Sequence, residues 1–487
     1  MDFEALINPK VCAIIGASNN PTTEGYRFLE GWLANEYRGK IYPVNPKYHE
    51  ILGLPAYSDI REIPAEVTID YALIAVPAEK VPLEVQKCVE RGVKFAVIFS
   101  SGFSEVGDKH LEPEILKRVK GSKLRILGPN CIGVYSTEMK LGYFKDQPII
   151  GEGPVSFISQ SGGITRNFIW TGFSRGFHVR AGVSIGNTID ISVSELFEAF
   201  AHDPKTHIIA AYLESVKEGH QFFELLKTIT PQKPVAIMKC GRTPKGKVAA
   251  QSHTGAIAGS YEIFASMAKQ AGGIVVETLE ELTDVILGLK TLRDCLPFGK
   301  NIAIINTGGG IAVEMTDVCE SNGFSVADLE DSTKASLEKI LPSVNVIIKN
   351  PVDLGAVGFN PELLGKVIQF LSRDPNIDSI FLLQEVERFQ VLNKRFQMGD
   401  IGKMYAEVFQ KARNPAKPII AILPRAWELL ENFTIYRNYV EDLLKIGIPN
   451  YPTTARAIFT LKKLVQYRTF LKTHSETHLK KRKSENF

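Results

Sequence analysis

Three short apolar runs, rich in β-branched residues, open in the same way along the chain. They are "VCAIIGAS" from Val11, "VSFISQSGG" from Val155 and "IAIINTGGG" from Ile302. Each ends in small residues and leads into a stretch whose apolar positions recur with helical spacing. A strand, a glycine turn and a helix, repeated at intervals of about 145 residues, point to consecutive α/β domains rather than one large core. "IDYALIAV" (69–76) and "VKFAVIF" (93–99) are unbroken apolar runs. That is the pattern of parallel strands buried on both faces, and the amphipathic "EKVPLEVQKCVERG" between them reads as the crossover helix. "LRILGPNC", "HIIAAYLE", "PVAIMKCG", "SIFLLQEV" and "PIIAILP" supply further strands. The pattern predicts an α/β chain of three consecutive Rossmann-like or flavodoxin-like parallel-sheet domains, at 1–145, 150–292 and 298–468. Linkers are expected near "FKDQPIIGEGP" and "DCLPFGKN". The end, 473–487, is polar, basic and aperiodic, and is predicted to be a flexible tail.

Composition narrows the function classes. The 57 basic and 54 acidic residues leave a formal charge of +3 over 487 residues, which gives no electrostatic case for nucleic acid or a membrane surface. No apolar run is long enough to span a bilayer, and "MDFEALINPK" has neither a basic nor an apolar leader segment, so a cytoplasmic location is expected. Six scattered cysteines without C-x-x-C argue against a disulfide framework and for a reducing compartment. The nine histidines form no H-E-x-x-H, so no metal held by protein ligands is expected.

The candidate chemistry centres on "GRTPKGKVAAQSHTGAIAGS", residues 241–260. Its start fits G-x-x-x-x-G-K, but Val248 stands where a Ser or Thr hydroxyl should reach Mg²⁺. Five residues on, His253 sits among small and hydroxyl residues in what reads as a loop. Glu214 ends the strand "HIIAAYLE", and both residues fall at carboxyl ends of strands, where open α/β sheets place their chemistry. A nucleophilic imidazole needs one free nitrogen and an acceptor for the other, and Glu214 offers one. A surface histidine with no task accounts for the same residues. Gly16, Ser18 and Gly25 are too widely spaced for G-x-G-x-x-G, and "KIYPVNPKY" ends in Pro46 and Lys47 instead of a ribose-binding acid. That suits a phosphate-rich ligand better than a nicotinamide dinucleotide. Each glycine turn is also readable as a plain tight turn.

In order along the chain, "GASNNPTTEGYRFLE", "GKIYPVNPKY", "SSGFSE", "GPNCIGV", "ISQSGG", "SIGNTID", "YLES" and "SHTGAIAGS" resemble the α subunit of the NDP-forming acyl-CoA synthetases. These are the ADP-forming acetate–CoA ligases, related to succinyl-CoA synthetase. The likeness is strongest in the first two domains and looser in the third, marked by "NTGGG" and "NPVDL". It implies an acid–CoA ligase: acyl-CoA, phosphate and ADP reversibly give acid, CoA and ATP. His253 matches the phosphorylated histidine and Glu214 the carboxylate that orients it. Gly16, Ser18 and Pro21 match the turn at the CoA phosphates, Lys47 the basic contact, and Asn130 with Cys131 the loop near the thioester. Ser161, Gly162 and Gly163, with Gly308, Gly309 and Gly310, would open two helices that hold the phosphate between their N-termini. The resemblance also implies a separate ATP-grasp β subunit carrying ADP or ATP with Mg²⁺, hence a hetero-oligomer. Ile189, Ser192, Arg166 and Ile311 depart from the family pattern. The alternative is a non-catalytic CoA- or acyl-CoA-binding regulatory protein.

Overall fold

A computed structural model describes residues 1–151, 153–254, 259–396, 399–425 and 430–484, without the side chains of 251–254, 390, 393–396, 430, 431 and 477–484. The first sheet begins with β1 (Val11–Ile15) and β2 (Lys40–Val44), followed by a small hairpin of β3 (Glu50–Ile51) and β4 (Leu54–Pro55). β5 (Tyr71–Ile74), β6 (Phe95–Ile98) and β7 (Arg125–Leu127) complete it. Its order is β2-β1-β5-β6-β7, with every neighbouring pair parallel. The chain moves one way from β1 to β2 and the other way from β1 to β5, so the end of β1 is a topological switch point, where such sheets bind ligands.

The second sheet comprises β8 (Gly133–Ser136), β9 (Val155–Ser159), β10 (Val179–Ser184), β11 (Ile208–Leu213), β12 (Val235–Lys239) and β13 (Ile274–Val276). Its order is β13-β12-β11-β9-β10-β8, parallel except for the antiparallel edge strand β8. That edge comes from the segment read as the close of the first domain. In the third sheet, β14 (Ile302–Asn306), β15 (Val352–Asp353), β16 (Ser379–Leu383), β17 (Ile419–Ile422) and β18 (Asn450–Tyr451) lie in the order β15-β14-β16-β17-β18. All its neighbours are parallel. The molecule is therefore α/β, built on parallel sheets as the sequence pattern predicts.

The continuous apolar runs have the reason anticipated for them. Every residue of β5, β6, β9 and β14 is buried. Along β14 and β16 alternate side chains go to opposite faces. Ala303, Ile305, Ile380 and Leu382 join one core, while Ile302, Ile304, Phe381 and Leu383 join the other.

Two compact units result, Met1–Thr283 with the first two sheets and Asp284–Phe487 with the third. Within the first unit an ionic clasp ties its two sheets together. Arg125, on β7, donates from Nε to both carboxylate oxygens of Asp190 at 3.0 and 3.1 Å and from Nη2 to Glu195 at 3.0 Å. Asp190 also accepts the Ile126 amide at 2.7 Å.

The four departures from the family pattern have local accounts. Ser192 is the N-cap of the helix Val193–His202 and forms a capping box with Glu195. Serine serves there as well as aspartate, because either oxygen accepts a first-turn amide. Ile189 packs on the core of the first sheet, and Ile311 on one face of the third. Arg166 projects from the exposed side of its helix, with its guanidinium 6.0 Å from the Phe144 ring centroid.

The final helix, Thr454–Ser484, runs on through most of the stretch read as a flexible tail. No Gly or Pro follows Pro452, and Lys, Leu, Arg and Glu all favour helix, so nothing local ends it. No helix among the described residues is long and apolar enough to cross a membrane.

Candidate functional site

At the carboxyl end of β1 the chain turns through Gly16, at φ +94°. A Cβ there would lie 2.3 Å from the Ala75 carbonyl oxygen, so the turn needs glycine for both conformation and space. Gly25, in the first turn of the helix Glu24–Ala34, allows that helix to sit on the turn, since a Cβ at Gly25 would come within 2.0 Å of the Gly16 oxygen. Ser18 is buried, and its hydroxyl accepts the Asn20 amide at 3.0 Å; Pro21 is exposed. Lys47 follows β2. Asn45 donates to the Ala17 carbonyl at 2.6 Å and accepts the Lys47 amide at 3.0 Å. One asparagine thus carries the exposed lysine beside the Gly16 turn, and sequence reading did not single it out. Asn130, at φ +56°, and Cys131 follow β7, three strands along the same edge of the sheet. The Cys131 thiol points inward, 3.5 Å from the Ile98 carbonyl oxygen, and burial pushes its pKa up to about 12. At this position the backbone of the loop, and not a thiolate, is what a ligand can meet.

The second sheet builds a tighter arrangement. β9 ends at Ser159, and Ser161 caps the helix Gly162–Arg175, its hydroxyl accepting the Ile164 amide at 3.4 Å. A Cβ at Gly162 would strike Ile132 at 2.9 Å, whereas one at Gly163 would meet only Ser161 Oγ, at 4.0 Å. Gly162 is therefore a close-packing glycine, and Gly163 leaves the helix N-terminus open to an approaching anion. Glu214 directly follows β11, the neighbour of β9, and is 3% exposed. Gln160 Oε1 accepts the amides of both Glu214 and Ser215, at 2.6 and 3.0 Å. Tyr212 donates its hydroxyl to Glu214 Oε1 at 3.2 Å. From β12, Lys239 donates to the Glu214 carbonyl at 2.8 Å and to that of Cys240 at 2.7 Å. Burial lowers the Lys239 pKa and, with the Glu214 charge beside it, raises that of Tyr212. Gln160 and Lys239 fix the backbone of Glu214, and Tyr212 holds its carboxylate, at the switch point between β9 and β11. Gln160 was in plain view in "SQSGG", but its task depends on which strand lies alongside.

Gln160→Ala is expected to strip two buried amides of their acceptor and to destabilise the chain by about 1–3 kcal/mol. Gln160→Glu keeps an acceptor but buries a second carboxylate beside Glu214, so it should not recover the loss. Urea unfolding of both variants checks this; an Ala variant as stable as wild type would show that the clamp is inessential.

His253 lies in the helix Pro244–Thr254, not in a loop as expected, and its side chain falls outside the described residues. The helix packs beside the Ser104–Val106 turn of "SSGFSE". The resemblance to a nucleotide loop ends in ordinary capping, with Thr243 Oγ1 accepting the Gly246 amide at 3.0 Å.

In the second unit Gly308 precedes the helix Gly309–Ser321 without any side-chain cap. Cβ atoms at Gly308 and Gly310 would meet nothing within 4 Å, and one at Gly309 only Asp353, at 3.6 Å. Buried Asn306 holds the turn by donating to the Gly308 carbonyl at 2.7 Å. Among the described residues no cluster of His, Cys, Asp or Glu is arranged to hold a metal ion.

Comparison with known proteins places this geometry. Residues 10–137 match the CoA binding domain family, and residues 152–289 the succinyl-CoA ligase-like flavodoxin domain family. Over 98% of its length the chain is 35% identical to the whole of the acetate–CoA ligase [ADP-forming] I subunit alpha of Pyrococcus furiosus. It is 33% identical to the corresponding subunit of that organism's ligase II, over 92% of this chain and 94% of that one. A solved Ca. Korarchaeum cryptofilum dinucleotide-forming acetyl-coenzyme A synthetase 1, in complex with phosphate and ADP, superposes with a TM-score of 0.82 at 30% identity. The match covers 98% of this chain and 99% of that one.

Proposed function

Since the chain belongs to the family of ADP-forming acyl-CoA ligases, as a protein of the α-subunit type, we propose that it is the α-type subunit of an acid–CoA ligase that transfers phosphate through His253. The proposed sequence has three displacements. A phosphate oxygen attacks the acyl-CoA carbonyl carbon, the C–S bond breaks, and CoA leaves as its thiol with an acyl phosphate formed. An imidazole nitrogen of His253 attacks phosphorus, and the carboxylic acid departs with the bridging oxygen. A terminal oxygen of ADP then attacks the phosphohistidine, giving ATP and restoring the imidazole. Splitting one exchange into smaller displacements lowers each barrier. For the first step the chain offers the Gly16, Ser18, Pro21 and Lys47 turn to the CoA phosphates, and the Asn130–Cys131 loop to the thioester end. For the phosphate it offers the open N-terminus at Ser161, Gly162 and Gly163; the second unit carries a turn of the same kind at Gly308, Gly309 and Gly310.

The observation that carries the reading is the clamp on Glu214. A carboxylate 3% exposed, bonded by the Tyr212 hydroxyl on a residue whose backbone amide is held by Gln160, at a strand end beside a helix N-terminus, has a purpose if it steadies an imidazolium. ADP with Mg²⁺ belongs, in this reading, to a separate ATP-grasp β subunit. A small acyl group is the substrate, acetate being the acid named for both P. furiosus relatives.

Incubation with acetyl-CoA, a panel of other acyl-CoAs and labelled inorganic phosphate, with and without a β subunit, tests the proposal. Acid-labile, base-stable label on the chain is the expected result. Its absence with every donor and with the β subunit present, in a chain that still binds CoA, would replace the enzyme by a CoA-binding regulatory protein.

A further inference from the structure

The second unit contains a cavity of about 350 Å³ that the proposed reaction does not use. It opens where β17 begins at Ile419 and where Ile448 leads into β18, at the amino ends of these strands. The Gly308–Gly310 turn follows the carboxyl end of β14 in the same parallel sheet, so the cavity lies at the opposite edge. Lys290, Arg413, Lys417 and Lys445 line it, and Asp294 is its one acidic lining residue among those described.

Two of the cations are held by backbone carbonyls. Arg413 Nη1 donates to the Ile446 carbonyl, and Lys417 Nζ to the Asp374 carbonyl. A carbonyl satisfies an N–H but neutralises no charge, and among the described residues neither Arg413 nor Lys417 has a carboxylate within ion-pair distance. The guanidinium is seated against Gly447, where a Cβ would come within 2.8 Å of Arg413 Nη1. Lys445, on the rim, is ion-paired with Asp442 at 2.9 Å. The walls include Leu292, Ile419, Leu444 and Ile448, which keep the local dielectric low and strengthen any ionic contact made inside. Burial lowers the pKa of Lys290 and of Lys417, as expected of ammonium groups in a partly desolvated cleft.

We propose that this cavity is a binding site for a polyphosphate anion, a compound with two or more linked phosphoryl groups. Four cations spread around one opening match several charged oxygens in a row better than a single carboxylate, and the planar Arg413 fork suits phosphoryl oxygens. The volume is that of a small-ligand pocket. The site is independent of the reaction proposed above and stands or falls without it.

Cys295 lines the cavity and reports on it locally. Cys240, beside Glu214, reports on the other site. The experiment is alkylation of the full-length chain by N-ethylmaleimide, read peptide by peptide by mass spectrometry, at constant ionic strength. Inorganic pyrophosphate and ATP are the two probes, with chloride as the control. Pyrophosphate or ATP is expected to slow alkylation of Cys295 at least tenfold while leaving Cys240 unchanged. A lower half-protecting concentration for ATP identifies a nucleotide, and for pyrophosphate a free polyphosphate. Arg413→Gln and, on the exposed rim, Lys445→Glu should each raise that concentration tenfold or more; Lys445→Glu covers the event that the first variant fails to fold. No protection by either probe, equal protection by chloride, or protection unchanged in a folded variant would overturn the proposal.

Discussion

His253→Ala is expected to abolish ATP formation from acyl-CoA, phosphate and ADP, by roughly 10⁴-fold or more, as removal of a covalent nucleophile does. Phosphate-dependent release of CoA thiol should survive for a single turnover, because formation of the acyl phosphate does not need the imidazole. Glu214→Gln keeps shape and hydrogen-bonding reach but removes the charge that supports an imidazolium. It should leave the KM for acyl-CoA near wild type and lower kcat by about 10²–10⁴. Thiol release and ATP yield, measured side by side on the two variants with the β subunit present, separate the half-reactions. An alanine variant that still makes ATP would remove His253 from the pathway. A glutamine variant with unchanged kcat would reduce the Glu214 clamp to a structural feature of the second sheet.

Gly16→Ala is expected to weaken CoA binding by roughly thirtyfold or more, about 2 kcal/mol. The residue stands at φ +94°, where any side chain is strained, and its Cβ would fall 2.3 Å from the Ala75 carbonyl oxygen. Relief requires the turn to move off β5, which takes with it Ser18 and, through Asn45, Lys47. Gly53 is the matched control, at φ +81° with nothing within 4 Å of an added Cβ. Gly53→Ala incurs the backbone strain without the collision, so CoA affinity should stay within about twofold of wild type, a difference below 0.5 kcal/mol. Calorimetric titration with CoA decides; wild-type affinity in Gly16→Ala would place the CoA phosphates elsewhere.

The candidate site was legible in the sequence where local chemistry determines it. Gly16, Gly162 and Glu214 each follow an apolar run, and a residue directly after a parallel strand has only one edge of the sheet to occupy. The same logic found the strand preceding His253 but read the residues after it as a loop, where the structure continues a helix to Thr254. Small and hydroxyl residues suggest a turn by composition, and packing beside the Ser104–Val106 turn is invisible to such a reading. Asn45, Gln160 and Lys239 were missed for another reason. Their partners are 28, 54 and 25 residues away in the chain, so no spacing rule connects them.

By itself the sequence determined that its long apolar runs are strands and that the sheets they build are parallel and covered on both faces. These follow from the run and periodicity of apolar residues, a pattern set within a few residues. The tertiary structure alone decided which strands are neighbours. It set β9 between β10 and β11, so that Gln160 reaches the amides of Glu214, and gave Gly133–Ser136 to the second sheet as an antiparallel edge. It also gathered Lys290, Arg413, Lys417 and Lys445 around one cavity. Pairing and pocket formation depend on side chains far apart in the chain meeting in space, and their contact energies appear only when the loops between them have closed.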